Sequence, residues 1–464
     1  MARMNRNSEP SCITRERDVC ESYAADVSGL CHVPEAVARP EREEDVAELL
    51  RYCNAHELPV TVQGLRSSTT GASVATEGIA LSLERMNSLI AIDPDKRIAR
   101  TEPGIITAEF KRHVAEASLF YPPDPTSEEE CTIGGNVACN ASGARSYKYG
   151  PTRRYVRALR VVLADGSVTT VRRIDAGKNA AGYFGLQNPI DLWIGSEGTL
   201  GIITEVELGL LPAEALYFGA LAFFPTWQRA IDFVTRVNEP AYQNQIHPRC
   251  LEYFDANALK LIRPAAKGID IPSAAGAAVF FEEELGDPEN WIELIKTTGG
   301  FDEDTLVARS TAETAVLRKL RHAVPSEMNE RGEAAAKSGG RRVSTDFAVP
   351  LAALPVLMKD AYGIIAERFD GFSVAYGHVG DGHPHFNLLA RDAEELGLAL
   401  DVALEMTKRA LALGGTLSAE HGLGKLKAAL FRELYPTWMT DGMVALKRSL
   451  DPKGILAPGN LICR

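Results

Sequence analysis

The sequence predicts an α+β protein of two or three domains, and three observations carry that expectation. At 464 residues the chain is too long for one ordinary core. Between Gly64 and Gly201 three small-residue loops, each flanked by strand-like runs, break up the first half. After Pro212 the texture changes, and strand and helix patterns alternate as they do in an antiparallel sheet covered by helices.

Composition narrows the function classes. The formal charge is −12 and the pI about 5.4. An acidic surface argues against nucleic acid and against anionic membrane bound through a basic patch. No apolar run approaches the roughly 20 residues needed to span a bilayer. The N-terminus, MARMNRNSEPSC, has no apolar core after its charges. It is therefore not a secretory signal and reads as a loosely packed extension, within a segment 1–32. The eight cysteines (Cys12, Cys20, Cys31, Cys53, Cys131, Cys139, Cys250 and Cys463) form no CxxC pair. That disfavours an iron–sulfur or thiolate-zinc cluster in this chain and fits reduced thiols in a cytoplasm; a peripheral association with a membrane is compatible with this.

Taken in order, residues 41–56 place Val46, Leu49, Leu50 and Cys53 on one helical face. A short strand over 58–63 leads into GLRSSTTG at 64–71. A strand followed by a small, hydroxyl-rich loop can present backbone N–H groups to a phosphate, although many such loops are ordinary turns. The second loop region, 121–150, includes CTIGGNVACNASGARSYKYG and has almost no periodicity. Residues 156–171 form a hairpin pattern around Asp165-Gly166. The third loop, GSEGTLG, interrupts two strand-like runs within 191–211. Three such loops are hard to explain as unrelated turns. They suggest contacts around one extended ligand carrying phosphates.

CTIGGNVACNASGARSYKYG and IGSEGTLGIITEV closely resemble the flavin-binding domain of the vanillyl-alcohol oxidase / p-cresol methylhydroxylase (PCMH) flavoproteins. The resemblance implies a two-subdomain PCMH-type FAD-binding domain over 33–212, then an α+β cap domain over 213–413. A C-terminal helical segment, 414–464, would return to the flavin domain. It also implies FAD with its pyrophosphate against the first loop at Gly64, Ser67 and Ser68. Thr132, Gly134, Gly135, Asn136, Ser142 and Gly143 would lie along the dinucleotide, and Glu197, Gly198, Thr199 and Ile203 would complete the site. Arg66 stands where a second glycine is common. Some relatives attach FAD through a histidine in this loop; there is none here, so non-covalent FAD is expected.

In the second half, 220–224 and 277–282 read as strands, and 227–237, 252–262 and 291–296 as helices. The run Glu282-Glu283-Glu284 reads as a solvated face. Residues 311–332 form a long helical pattern with Arg318 and Arg321 on one face. By the resemblance, Arg321 stands where 2-hydroxyacid members of the family grip the substrate carboxylate, a task that suits a guanidinium's two parallel donors. The phrase RRVSTDFAVP at 341–350 is similar to D-lactate dehydrogenases, whereas D-2-hydroxyglutarate dehydrogenases tend to have a lysine where Ser344 stands.

The stretch YGHVGDGHPHFN, 376–387, holds three of the nine histidines. Asp381-Gly382 is a two-residue turn signal. With those residues as the turn, cross-strand partners sum to 378 + 385 = 763, so His378 faces His385. Alternation puts His383 and Asn387 on the same face as His385. Downstream, GGTLSAEHGLGKLK brackets Glu420 and His421 with glycines, which permits an irregular turn with one side chain on a metal and its neighbour on substrate.

The expected constellation is His378, His385 and Glu420 on zinc, manganese or iron, with coordination positions open for substrate. His421 is the expected general base, and Arg321 and Asn387 fix the substrate. The family phrase has Asn where this chain has His383, and an apolar residue where it has Pro384. His383 is read as a further ligand, as a support to a ligand or as exposed, with the last two favoured. Pro384 cannot donate to a ladder, so its arm is expected to be an edge or distorted strand.

The reading is an FAD-dependent dehydrogenase of D-2-hydroxy acids, D-lactate first, with glycolate and D-2-hydroxyglutarate as alternatives. Electrons would leave to a quinone or to an acceptor protein such as an iron–sulfur subunit; a homodimer is compatible with this. The competing classes are a non-catalytic FAD electron-transfer subunit and a transferase resembling alkyl-dihydroxyacetonephosphate synthases.

Overall fold

The computed structural model describes residues 9–213, 216–240, 242, 245–264, 266, 269–284, 287–308 and 310–462. The chain divides into two compact units. The first comprises Met1–Ser142, Gly150–Glu214 and Glu420–Arg464; the second comprises Gly143–Tyr149 and Ala215–Ala419. The α+β class is as expected.

The first unit holds two main sheets. The four-stranded one runs Ile13–Thr14, Ala36–Ala38, Ile79–Ser82, Val60–Gln63, with its last two pairings parallel. A strand buried on both faces reads as a largely apolar run, as Ile79-Ala80-Leu81 does before Ser82. Helix Glu43–His56 covers them with Val46, Ala47, Leu49, Leu50 and Cys53, and its acidic first turn suits the positive end of the helix dipole. The second sheet is antiparallel throughout, in the order Leu89–Asp93, Ile98–Thr101, Ile202–Gly209, Val156–Val162, Val168–Arg172. Residues 1–8 of the expected loose extension lie outside the described residues. Beyond them, Ile13 pairs with Ala38, and Cys20, Tyr23 and Ala24 are buried, so this part of the segment is packed.

The second unit is built on a seven-stranded antiparallel sheet. Its order is Leu306–Ala308, Phe218–Phe224, Ala277–Glu283, Pro248–Asp255, Phe372–His378, His383–Asp392, Gly339–Ser344. Alternate residues feed two cores. Phe224, Phe281 and Phe386 pack under helices Trp227–Val237, Pro288–Thr297, Leu354–Arg368 and Ala393–Ala412. Phe223, Phe254 and Phe280 pack under Ala256–Ile262 and the long helix Thr311–Ala336.

Three local expectations are corrected. Residues 252–255 are not helical; they end the strand Pro248–Asp255, and Asp255 caps the helix that follows by accepting from the Ala258 amide. The acidic run is not solvated. Glu282 and Glu283 are buried, with Arg145 and Arg318 on Glu282. The hairpin turn takes four residues, Val379 to Gly382, so partners sum to 761, and His378 faces His383 while His385 faces Tyr376. A slip of two keeps every side chain on its expected face, which a slip of one would reverse.

Pro384 lies on a central strand, flanked by Phe372–His378 and Gly339–Ser344. The latter reaches only as far as the Ser344–Asn387 pair, so at Pro384 the strand is locally an edge and no ladder donor is missed.

Candidate active site

In the first unit a cleft opens among the three small-residue loops. Gly64 and Ser68 from the first, Thr132, Gly134 and Gly135 from the second, and Glu197, Gly198 and Ile203 from the third line it. Gly64 has no room for a side chain, because a Cβ there would lie 2.7 Å from Thr132 Oγ1. Thr132 caps helix Ile133–Cys139 by accepting from the Gly135 amide. Arg66, at the position where glycine is common, does adopt a left-handed φ of 62°, and its guanidinium lies 4.6 Å from the Tyr23 ring centroid.

Other expected residues stand behind the wall. Asn136 Nδ2 donates to Thr107 Oγ1 (2.7 Å) and Thr199 Oγ1 donates to the Ser196 carbonyl (2.7 Å). Ser67 and Ser142 are half-buried and outside the lining, and Gly143 opens the segment assigned to the second unit. Gln63 Oε1, in the lining, is buried without a hydrogen-bond partner among the described residues, while its Nε2 donates to Ser73 and Tyr23 carbonyls. Small residues and an acceptor lacking a donor fit a planar cofactor that carries N–H groups.

Glu197 joins this cleft to the Glu420-His421 turn. Its carboxylate accepts the Leu423 amide (2.7 Å) and the Gly424 amide (2.8 Å). Burial pushes its pKa up to about 7, although the two amides oppose that. Thr70 holds the same turn: its carbonyl accepts from the Lys425 and Leu426 amides, and its hydroxyl donates to the His421 carbonyl. The turn is irregular, as the flanking glycines predict, and Glu420 Oε1 comes 3.5 Å from His421 Nε2. Ser142 Oγ lies 3.4 Å from Glu420 Oε2.

In the second unit the sheet face under the long helix carries the histidines. His378, His383, His385 and Asn387 are all at most 6 % exposed. One ligand atom from each of the three imidazoles lies within 4.8 Å of the others. Gly377, with φ at 120°, lets the strand pass the His385 ring; a Cβ there would lie 2.7 Å from His385 Cδ2. Glu252 Oε1 is 2.6 Å from His378 Nδ1, and its Oε2 takes Arg321 Nε at 2.6 Å. A carboxylate beside Nδ1 makes that nitrogen the protonated one and leaves Nε2 with the lone pair. His385 Nδ1 is 3.3 Å from the Thr345 carbonyl, which sets the same tautomer. Asp346 Oδ1 lies 3.3 Å from His383 Nε2. The expectation of an exposed His383 is therefore wrong. It is 3 % exposed because it pairs directly with His378.

Both side-chain polar atoms of Asn387 are fully buried without a hydrogen-bond partner among the described residues. Native proteins rarely leave such a group unpaired, so a polar ligand belongs there. Sequence reasoning missed Glu252 and Asp346. Glu252 was hidden by reading its strand as a helix, although the apolar flanks Leu251 and Tyr253 around it are the mark of alternation. Asp346 sits in a phrase, STDFAVP, already singled out for another reason.

Comparison with known proteins agrees with this geometry. Residues 34–172 match the FAD binding domain family, and residues 219–461 match the C-terminal domain of FAD linked oxidases. The chain is 32% identical to glycolate oxidase subunit GlcD of Bacillus subtilis (strain 168), over 93% of this chain and 90% of that one. It is 31% identical to a D-lactate dehydrogenase of Anaerostipes hadrus, over 92% and 89%. Among solved structures, p-cresol methylhydroxylase with substrate bound aligns at a TM-score of 0.72 and 16% identity, covering 97% of this chain and 94% of that one. Fold and cleft thus define an FAD-linked oxidoreductase. The chain belongs to the FAD linked oxidases, and it shares its fold with p-cresol methylhydroxylase. Among the described residues no helix is long and apolar enough to cross a membrane.

Proposed function

We propose that this protein oxidises a D-2-hydroxy acid, D-lactate first, to the 2-keto acid, and hands the electrons to a quinone or an acceptor protein rather than to NAD. The observation that carries this reading is Asn387, buried with both polar atoms unpartnered, two residues along the strand from a histidine cluster. A small polar substrate meets that need, and the curated relatives named for glycolate and D-lactate support a hydroxy acid.

In this reading the cleft would hold FAD non-covalently, and the bound flavin would supply the acceptor for hydride from C2. His378, His385 and Glu420 would hold a divalent metal (zinc, manganese or iron), which lowers the pKa of a bound hydroxyl. Both ring tautomers suit it, since Glu252 and the Thr345 carbonyl lie at the Nδ1 atoms; Arg321 Nη2, 3.2 Å from His378 Nε2, would yield that nitrogen to the cation. His421 takes the hydroxyl proton. Arg321 and Asn387 bind the carboxylate, with Glu252 fixing the guanidinium through Nε. Thr70 holds the backbone at the base and Glu197 the backbone just after it, so that its geometry is set before substrate arrives.

The test is anaerobic. D-Lactate should bleach the flavin absorption within a turnover, with glycolate and D-2-hydroxyglutarate as comparisons. Absence of bleaching with every short 2-hydroxy acid would overturn the reading. Acid precipitation should release the yellow chromophore to the supernatant; a chromophore retained in the pellet would refute non-covalent binding.

A further inference from the structure

We propose that His383 is a third imidazole ligand, so that this chain holds its metal through more nitrogen than the expected pair of histidines supplies and favours a borderline cation such as Zn²⁺ over Mn²⁺. This rests on the metal reading above. The family phrase carries Asn at this position, and the change to His sits in the centre of the cluster. His383 is the direct cross-strand partner of His378, and its ring centroid lies 4.3 Å from that of His385. It is 3 % exposed, so it is neither a surface histidine nor a solvated one.

Its Nε2 is buried and makes no hydrogen bond among the described residues. Asp346 Oδ1 is 3.3 Å away but off the ring N–H direction, and Asp346 Oδ2 already accepts from Ser418 Oγ at 2.5 Å. A buried imidazole nitrogen that its nearest carboxylate does not satisfy lacks a partner, and a cation supplies one. Unlike Glu252, which lies at Nδ1 behind His378, Asp346 lies on the Nε2 side of His383, where its carboxylate balances the charge of a cation held there. Replacing an amide by an imidazole makes the donor set softer, which moves preference from manganese towards zinc.

The experiment uses the full chain with FAD bound, stripped of metal by chelation and then titrated with Zn²⁺ by calorimetry and with Co²⁺ by visible absorption. His383→Asn should weaken Zn²⁺ at least about tenfold and shift the Co²⁺ d–d band, with the flavin spectrum unchanged. Zinc-edge X-ray absorption of the wild type provides a readout that does not depend on a variant folding, and three imidazole scatterers are expected. Two scatterers, or a His383→Asn protein with unaltered affinity and Co²⁺ spectrum while His378→Ala has lost both, would overturn the role of His383 and leave the His378/His385 site standing. Failure of the wild type to take up either ion would remove the metal reading along with this one.

Discussion

The cleft of the first unit and the histidine face of the second solve opposite problems. The cleft is made largely of small residues, and two of the polar side chains expected in it bond into the wall behind instead: Asn136 to Thr107, and Thr199 to Ser196. The histidine face is made of charged and polar side chains packed against one another, and almost every one is buried. A ligand held by shape and main chain tolerates loss of any one side chain. A site held by buried ionisable groups does not, because removing one partner strands another.

The largest expected effect tests which part of the protein makes the chemistry. His421→Ala should lower kcat by about 10²–10⁴-fold, the usual contribution of a general base, while flavin content per protein stays at the wild-type level. Near-normal turnover would remove His421 from the mechanism. Loss of flavin together with activity would show that the cleft depends on this side chain, and the contrast between the two regions would weaken.

Glu282→Gln is next. Glu282 takes Arg145 and Arg318, with Arg249 near, so the change strands buried guanidinium groups and should cost about 3–5 kcal/mol, read as a lower urea midpoint. Burial pushes the Glu282 pKa up, but Arg145, Arg318 and Arg249 outweigh it and hold the group down at about 2. A depressed carboxylate pKa means that its stabilisation is full above its ordinary value of 4.5 and is lost as pH falls towards about 2. The gap between wild type and variant should therefore narrow over that interval, and a gap constant with pH would contradict the assignment.

The smallest effect is expected from Asn136→Ala in the cleft wall. It removes one hydrogen bond, to Thr107, and should lower stability by ~1 kcal/mol while leaving FAD affinity within about twofold. A flavin that dissociates readily from this variant would mean that the cleft, too, relies on individual side chains.

Much of this arrangement was legible in the sequence because parity is robust. The hairpin register was off by two, yet His378, His385 and Asn387 still share a face, since period-two alternation survives an even slip. Arg66 was legible as a place for glycine, and its φ of 62° shows why. What escaped were interactions between residues far apart in the chain. Glu252 meets His378 and Arg321 only after strands and helix assemble. A run of three glutamates looks solvated until arginines from positions 145, 249 and 318 converge on it. His383 looked marginal because nothing local says that a histidine beside a turn will be enclosed.

The end of the chain bears on how the protein is made. Val60, on the edge strand of the four-stranded sheet, donates its amide to Ile455 and accepts the Ala457 amide. Asp451 is buried and accepts the Ile455 and Leu456 amides, while Lys447 gathers Asp451 with the Thr199 and Leu456 carbonyls. The first-synthesised unit thus lacks part of its framework until residues 447–457 have left the ribosome. At translation rates of about 5–20 residues per second, that leaves an unfinished nucleotide cleft waiting for tens of seconds. A ribosome stalled at the end of the second unit should carry a flavin unit unable to retain its cofactor.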